Sequence, residues 1–194
     1  MEITNVLFSG VGGQGILTSG RLLGLAALQA GLDVKMSEVH GMSQRGGNVD
    51  AHVRIGEVVP SPLIPKGGAH FLVAFEKLEA LRYMDFLRPD GVVLVSDLEI
   101  HPLASNLKES SYVEGIDTVL AQKAPRLVLL HALEEARTFG DVRMVNVLLL
   151  GALSTFLKIV PEHWEAAVRE RFPAKIQETC WKAFQRGAEL AVNS

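Results

Sequence analysis

Two short stretches near the start of the sequence carry residues whose types and spacing could do chemistry. In the first, Gly10-Val11-Gly12-Gly13-Gln14-Gly15, the glycines at 10, 12 and 15 fit G-x-G-x-x-G spacing. It follows the apolar run Val6-Leu7-Phe8 and leads into Ile16-Leu17. Between a strand and a helix, such glycines permit a tight turn, close approach of backbone to a ligand, and close packing of helix on strand. The helix start behind them offers free N–H groups and a positive dipole end, which suits an anion. The second stretch, Glu38-Val39-His40-Gly41-Met42-Ser43-Gln44-Arg45-Gly46-Gly47-Asn48, is polar and glycine-rich. Arg45 offers a bidentate fork for phosphate or carboxylate, and Gly46 and Gly47 let backbone amides close in. The alternative is that Arg45 pairs with Glu38 or another acid and the glycines only turn the chain.

Other chemistries find less support. A dinucleotide site asks for an acid at the end of the second strand, and Glu38 sits about there. The residues after it, His40, Gln44 and Arg45, do not resemble an adenine pocket. A Walker loop is excluded because no Gly-Lys-Ser/Thr follows the glycines. His40 is a lone acid–base candidate without a Ser or Cys nucleophile motif, and His40 and His52 lack a third ligand for a metal. His70, His101, His131 and His163 are scattered and read as surface or turn residues. Asn146 is a polar residue in an apolar helix; a core amide bonded to backbone is the expectation, and a reach towards the glycine loop is the alternative. Cys180 is the single cysteine, so this chain forms no internal disulfide and holds no cysteine-built zinc or iron–sulfur site alone.

The elements that must position these residues alternate. A strand over 3–9 is followed by a helix over 14–30 that stops at Gly31, and by a second strand at Val34–Ser37, with 38–48 as loop or partly helical turn. Residues 49–55 alternate with period two and read as a half-exposed strand. A proline-rich segment (Pro60, Pro62, Pro65) precedes a central strand at Phe71–Phe75 and a helix over Glu76–Leu87. Arg88-Pro89-Asp90-Gly91 reads as a turn before a buried strand at Val92–Ser96. A short strand is expected near Tyr112-Val113, then a helix near Thr118–Lys123, a strand at Arg126–Leu130 and a helix at Ala132–Thr138. Helices over Arg143–Leu157, from Pro161, and over Ile176–Val192 close the chain, with Trp164, Trp181, Phe172 and Phe184 packing the terminus or an interface. The pattern is α/β, a Rossmann-like, mostly parallel sheet with helices on both faces and a helical C-terminal third. The strand at 49–55 suggests that the sheet is not purely parallel.

Composition agrees with one domain over 1–194, without repeats or linkers. A net charge of −3 gives no case for nucleic acid. The apolar run Val145–Leu153 is too short to span a bilayer, and the first residues lack the basic start of a signal peptide. A soluble, cytoplasmic protein is expected.

The two motifs together resemble the gamma-type domain of 2-oxoacid:ferredoxin oxidoreductases. The form Glu38-Val39-His40-Gly41-Met42-Ser43-Gln44-Arg45-Gly46-Gly47 is most similar to the small, beta-type subunit of the indolepyruvate branch. The resemblance extends over the whole chain, including Pro65, Ala74-Phe75-Glu76 and the Arg143…Asn146…Gly151-Ala152 helix. It implies a subunit of an enzyme that oxidatively decarboxylates aryl 2-oxoacids with coenzyme A (CoA) and passes electrons to ferredoxin. Thiamine diphosphate, Mg and iron–sulfur clusters would sit on a larger alpha subunit, and the isolated chain would be inactive and a possible homodimer. Gly10, Gly12, Gly13, Gln14, Gly15, His40, Gln44, Arg45, Gly46 and Gly47 are then the expected positions for CoA phosphates. This chain supplies no catalytic residue and no metal ligand in that reading. The competing expectations are a free-standing NAD(P)- or flavin-binding oxidoreductase and a purely structural assembly subunit.

Overall fold

The computed structural model describes residues 2–40, 47–100 and 112–192. Its strands are β1 (Thr4–Val11), β2 (Asp33–His40), β3 (Asn48–Gly56), β4 (Ala69–Ala74), β5 (Leu87–Ser96) and β6 (Arg126–Leu130). They form one sheet in the order β2-β3-β1-β4-β5-β6. Neighbours β1, β4, β5 and β6 pair in parallel, whereas β3 runs antiparallel to both β1 and β2. The sheet is therefore mostly parallel with one reversed strand wedged into it.

Successive residues of the central strands feed two cores. Val6, Phe8, Val73 and Leu94 join one; Leu7, Leu72, Ala74, Val93 and Val95 join the other. Burial on both faces explains why these strands read as continuous apolar runs. Helices α1 (Ile16–Gln29), α4 (Ala132–Thr138), α5 (Val145–Ser154), α6 (Pro161–Arg171) and α7 (Ala174–Val192) pack on the first core. Helices α2 (Lys77–Arg82) and α3 (Ile116–Lys123) pack on the second. Helix α5 is buried from Val145 through Leu153, so its apolar character all round follows from its central place. Helices α5 and α7 meet backbone to backbone at two glycines. A Cβ on Gly151 would lie 1.9 Å from the Phe184 carbonyl oxygen, and one on Gly187 would lie 1.9 Å from that of Leu148.

Several elements differ from the sequence reading. Strand β3 is not half-exposed. Ala51, Val53 and Ile55 face the first core, and Asp50 and His52 on the opposite face are 5% exposed each. The proline-rich segment and the turn after α2 cover that face: Ile64 N–H donates to His52 Nδ1 (3.0 Å), and the Phe86 ring meets His52 edge-on. The expected helix over Glu76–Leu87 is shorter, because Glu76 is its N-cap and Leu87 already pairs with Ala69. Between Ala69–Phe71 and Leu87–Val92 the register shifts, so the Arg88–Gly91 turn becomes an irregularity within β5. Tyr112 and Val113 form no strand; the Tyr112 hydroxyl instead binds Glu76 and accepts from Leu78 N–H. The helix expected from Arg143 begins at Val145, after a 3₁₀ turn over Val142–Met144 capped by the Asp141 carboxylate. Among the described residues no helix is long and apolar enough to cross a membrane.

Candidate functional site

The glycine loop leaves the C-terminal end of β1, the edge of a parallel sheet where α/β folds bind ligands. Strand β2 ends at the same edge and β3 begins there, with Val11 opposite Asn48 and His40 opposite Val49. The two motifs are joined directly: Gly12 N–H donates to the Gly47 carbonyl at 3.0 Å. Gln44, Arg45 and Gly46 lie outside the described residues, and of His40 only the backbone is described, as the last residue of β2. The second strand thus runs on through Glu38-Val39-His40 rather than ending at Ser37, because antiparallel pairing with β3 extends it. Glu38, the acid a ribose would need, faces Arg21 of α1 at 3.2 Å.

The loop residues divide by role. Gly10 is buried, and a Cβ there would meet Gln14 Oε1 at 2.6 Å and Phe75 Cβ at 2.9 Å. The Gln14 amide folds back into the sheet. Its oxygen accepts from Val11 N–H (2.6 Å) and its nitrogen donates to the Phe75 carbonyl (3.2 Å). Phe75 N–H in turn donates to the Ser9 carbonyl at 2.9 Å. Gln14 therefore ties together the ends of β1 and β4, the switch point from which the connections run to opposite sides of the sheet. Gly13 is exposed with φ 100°, and Gly15 caps α1 with φ 88°, both in the region that favours glycine.

Gly13, Gln14 and Gly15 form one wall of a pocket of about 360 Å³. Arg143, Asn146, Arg171 and Cys180 come from the opposite side. The first turn of α1 carries no acidic residue, so its dipole end is uncompensated there. Arg143 is clamped by Asp141, with contacts of 2.6 and 2.9 Å, and the guanidinium holds the Asp141 carboxyl below its usual range. Arg171 is exposed and packs on the Phe172 ring; among the described residues no carboxylate forms an ion pair with it. Asn146 is 9% exposed, and its Nδ2 would lie 2.5 Å from a Cβ on Gly15. The amide expected to bridge to core backbone thus packs against the glycine loop instead. Burial pushes the Cys180 thiol up to about 11, so it is neutral and no nucleophile at ordinary pH. The arrangement can receive an anionic group at the start of α1, with Arg171 beside it and Asn146 below.

Of the positions named from the sequence, Gly13, Gln14 and Gly15 line this pocket and Gly10, Gly12 and Gly47 do not; Arg171, Asp141 and Cys180 line it without having been named as site residues. Arg171 reads as an ordinary last-turn cation of α6. Among the described residues no group of three His, Cys, Asp or Glu side chains could hold a metal ion.

The sequence profile described as "Pyruvate ferredoxin/flavodoxin oxidoreductase" matches residues 5–190. Indolepyruvate oxidoreductase subunit IorB of Archaeoglobus fulgidus is 39% identical over 193 residues, covering 97% of this chain and 96% of its own. The protein of the same name from Pyrococcus horikoshii is 38% identical, with 98% and 97% coverage. Among solved structures, the gamma subunit of a keto/oxoacid ferredoxin oxidoreductase from Geobacter sulfurreducens superposes with a TM-score of 0.74 at 25% identity, covering 98% of this chain and 99% of that one. A match in sequence and in fold over nearly the whole chain places it in the pyruvate ferredoxin/flavodoxin oxidoreductase family.

Proposed function

We propose that this chain is the small subunit of an indolepyruvate-type 2-oxoacid:ferredoxin oxidoreductase, and that its contribution is a site for CoA phosphates at the paired glycine loops. The observation that carries the site is the juxtaposition of the α1 N-terminus, Arg171 and the buried Asn146 around one pocket. The indolepyruvate assignment is supported by the full-length similarity to proteins of that name. One cysteine cannot hold an iron–sulfur cluster, so in this reading the cluster sits on a partner. A larger subunit carrying thiamine diphosphate, Mg and iron–sulfur clusters, and handing electrons to ferredoxin, is the partner this reading requires.

CoA supplies the thiol that accepts the acyl group. Gly13 leaves the backbone open to a phosphate, the α1 dipole and Arg171 offset its charge, and Asn146, packed on Gly15, supplies a neutral polar contact. The proposed role is binding and orientation, which lowers the entropic part of the barrier on the partner's centre. The alternative of a free-standing dinucleotide enzyme is disfavoured by Gln14, which bridges the switch-point crevice, and by the Arg21–Glu38 pair.

Co-expression with a thiamine- and cluster-bearing partner should give a complex that reduces ferredoxin with indolepyruvate only when CoA is present. No association with such a partner would refute the subunit assignment. An Arg171→Ala complex with an unchanged KM for CoA would refute the phosphate site and leave assembly as the chain's role.

A further inference from the structure

The second face of β3 carries a chain of hydrogen bonds outside the glycine-loop pocket, buried at His52 and Asp50 and half-buried at its Asn48 end. Ile64 N–H donates to His52 Nδ1 at 3.0 Å, so the imidazole proton is on Nε2, where it meets the Asp50 carboxylate at 3.0 Å. The other Asp50 oxygen accepts from the Tyr83 hydroxyl at 2.7 Å. The Tyr83 oxygen in turn accepts from Asn48 Nδ2 at 3.0 Å. Asn48 is the first residue of β3, directly after Gly47, whose carbonyl receives Gly12 N–H. The relay thus begins in the proline-rich segment, crosses β3 and the C-terminal end of α2, and ends at the peptide that joins the two glycine loops.

The buried carboxylate fixes the direction of every bond in this relay. Asp50 only accepts, so Tyr83 must donate to it, and the Tyr83 oxygen is left to receive Asn48. A buried relay with defined directions has one geometry, and its strength exceeds that of exposed polar contacts. Tyr83 also caps α2, with its N–H on the Glu79 carbonyl at 3.2 Å, so the second-face helix is tied into the same point.

We infer that Tyr83 is a positioning residue for the paired glycine loops: its hydroxyl couples Asp50 to Asn48 and thereby fixes Gly47 against Gly12. The consequence for CoA rests on the phosphate-site reading above; the effect on the Gly12–Gly47 contact does not. Tyr83→Phe in the assembled enzyme removes the coupling and keeps the ring. Asn48→Ala removes the last link without depriving Asp50 of a donor, which guards against a variant that fails to fold. Leu120→Ala, in the same core but outside the relay, controls for lost stability.

The first readout is amide exchange at Gly12. It is expected to quicken about fivefold in Tyr83→Phe and Asn48→Ala, the weight of one hydrogen bond, and to stay unchanged in Leu120→Ala. The second is the KM for CoA, expected to rise about fivefold in both relay variants while kcat holds within about a factor of two. Unchanged exchange at Gly12, or exchange that quickens equally in Leu120→Ala, overturns the inference. Quickened exchange at Gly12 with an unchanged KM upholds the positioning role and counts against the CoA site instead.

Discussion

The Asn146 amide stands where a side chain on Gly15 would have to go, with Nδ2 2.5 Å from the position of that missing Cβ. Gly15 is also left-handed at φ 88°, so Gly15→Ala meets a conformational cost and a steric one. A loss of about 2 kcal/mol is expected in denaturant unfolding. Because the nearest obstructing atom is the end of a side chain, Asn146→Ala should relieve most of the steric part, leaving only its Cβ at 3.2 Å. The double variant is expected to lose about 1 kcal/mol less than the sum of the singles; strict additivity would mean that the two residues do not compete for this space.

Helix glycines should respond with opposite signs. Gly187→Ala drives a methyl into the Leu148 carbonyl at 1.9 Å, a backbone atom that cannot swing away. It is expected to cost about 3 kcal/mol, at the top of the overpacking range. Gly24→Ala on α1 meets only Val34 Cγ1 at 3.6 Å, an ordinary contact. There the gain in helix propensity should stabilise by about 0.5–1 kcal/mol. Calorimetric melting of both variants tests the pair, and equal shifts would contradict the packing described.

If the proposed phosphate site holds, Arg171→Ala raises the KM for CoA about tenfold in the assembled enzyme, the weight of a hydrogen bond to a charged group. Arg169→Ala removes a cation from the same helix, but one already paired with Glu165. It is expected to leave the KM unchanged, and steady-state kinetics at fixed ionic strength distinguish the two.

The buried Cys180 thiol gives a pH signature. Its folded pKa is raised to about 11 from an ordinary 9.0, so the folded state disfavours the thiolate. Below pH 9 both states hold the proton and the contribution is complete; it is lost as pH rises through the window from 9 to 11, where only the unfolded chain ionises. Between those limits the wild type should lose about 1–2 kcal/mol more than Cys180→Ala, measured by urea unfolding at each pH. Labelling by a thiol reagent at neutral pH should likewise wait for unfolding.

Much of the frame was legible because local signals agreed. The run Val6-Leu7-Phe8, the glycines after it and Gly31 at φ 75° mark β1, α1 and its stop by rules that act within a few residues. What escaped was set by distant partners. Asp50 and His52 alternate with Ala51 and Val53 as a solvent face would, and only the covering segment and Tyr83 turn that face inward. The helix after Glu76 stops early because Leu87 is claimed by β4. Most of the pocket lining comes from residues 141–180, brought to the glycine loop by the way α5, α6 and α7 fold back on the sheet. No spacing rule links Arg171 to Gly13.

The reversed strand also sets an order of events in folding. Strands β2 and β3 are adjacent in sequence and pair through contacts of short range, whereas β1 reaches β3 only across the whole of α1 and β2. Local hairpins form on microsecond scales, and long-range pairings wait for larger loops to close. The β2–β3 hairpin is therefore a preformed piece that docks onto β1. Gly12 meets Gly47 only at that docking, so the joint between the two glycine loops follows the hairpin but, by its shorter span of chain, precedes the β1–β4 pairing and the packing of α5 on α1.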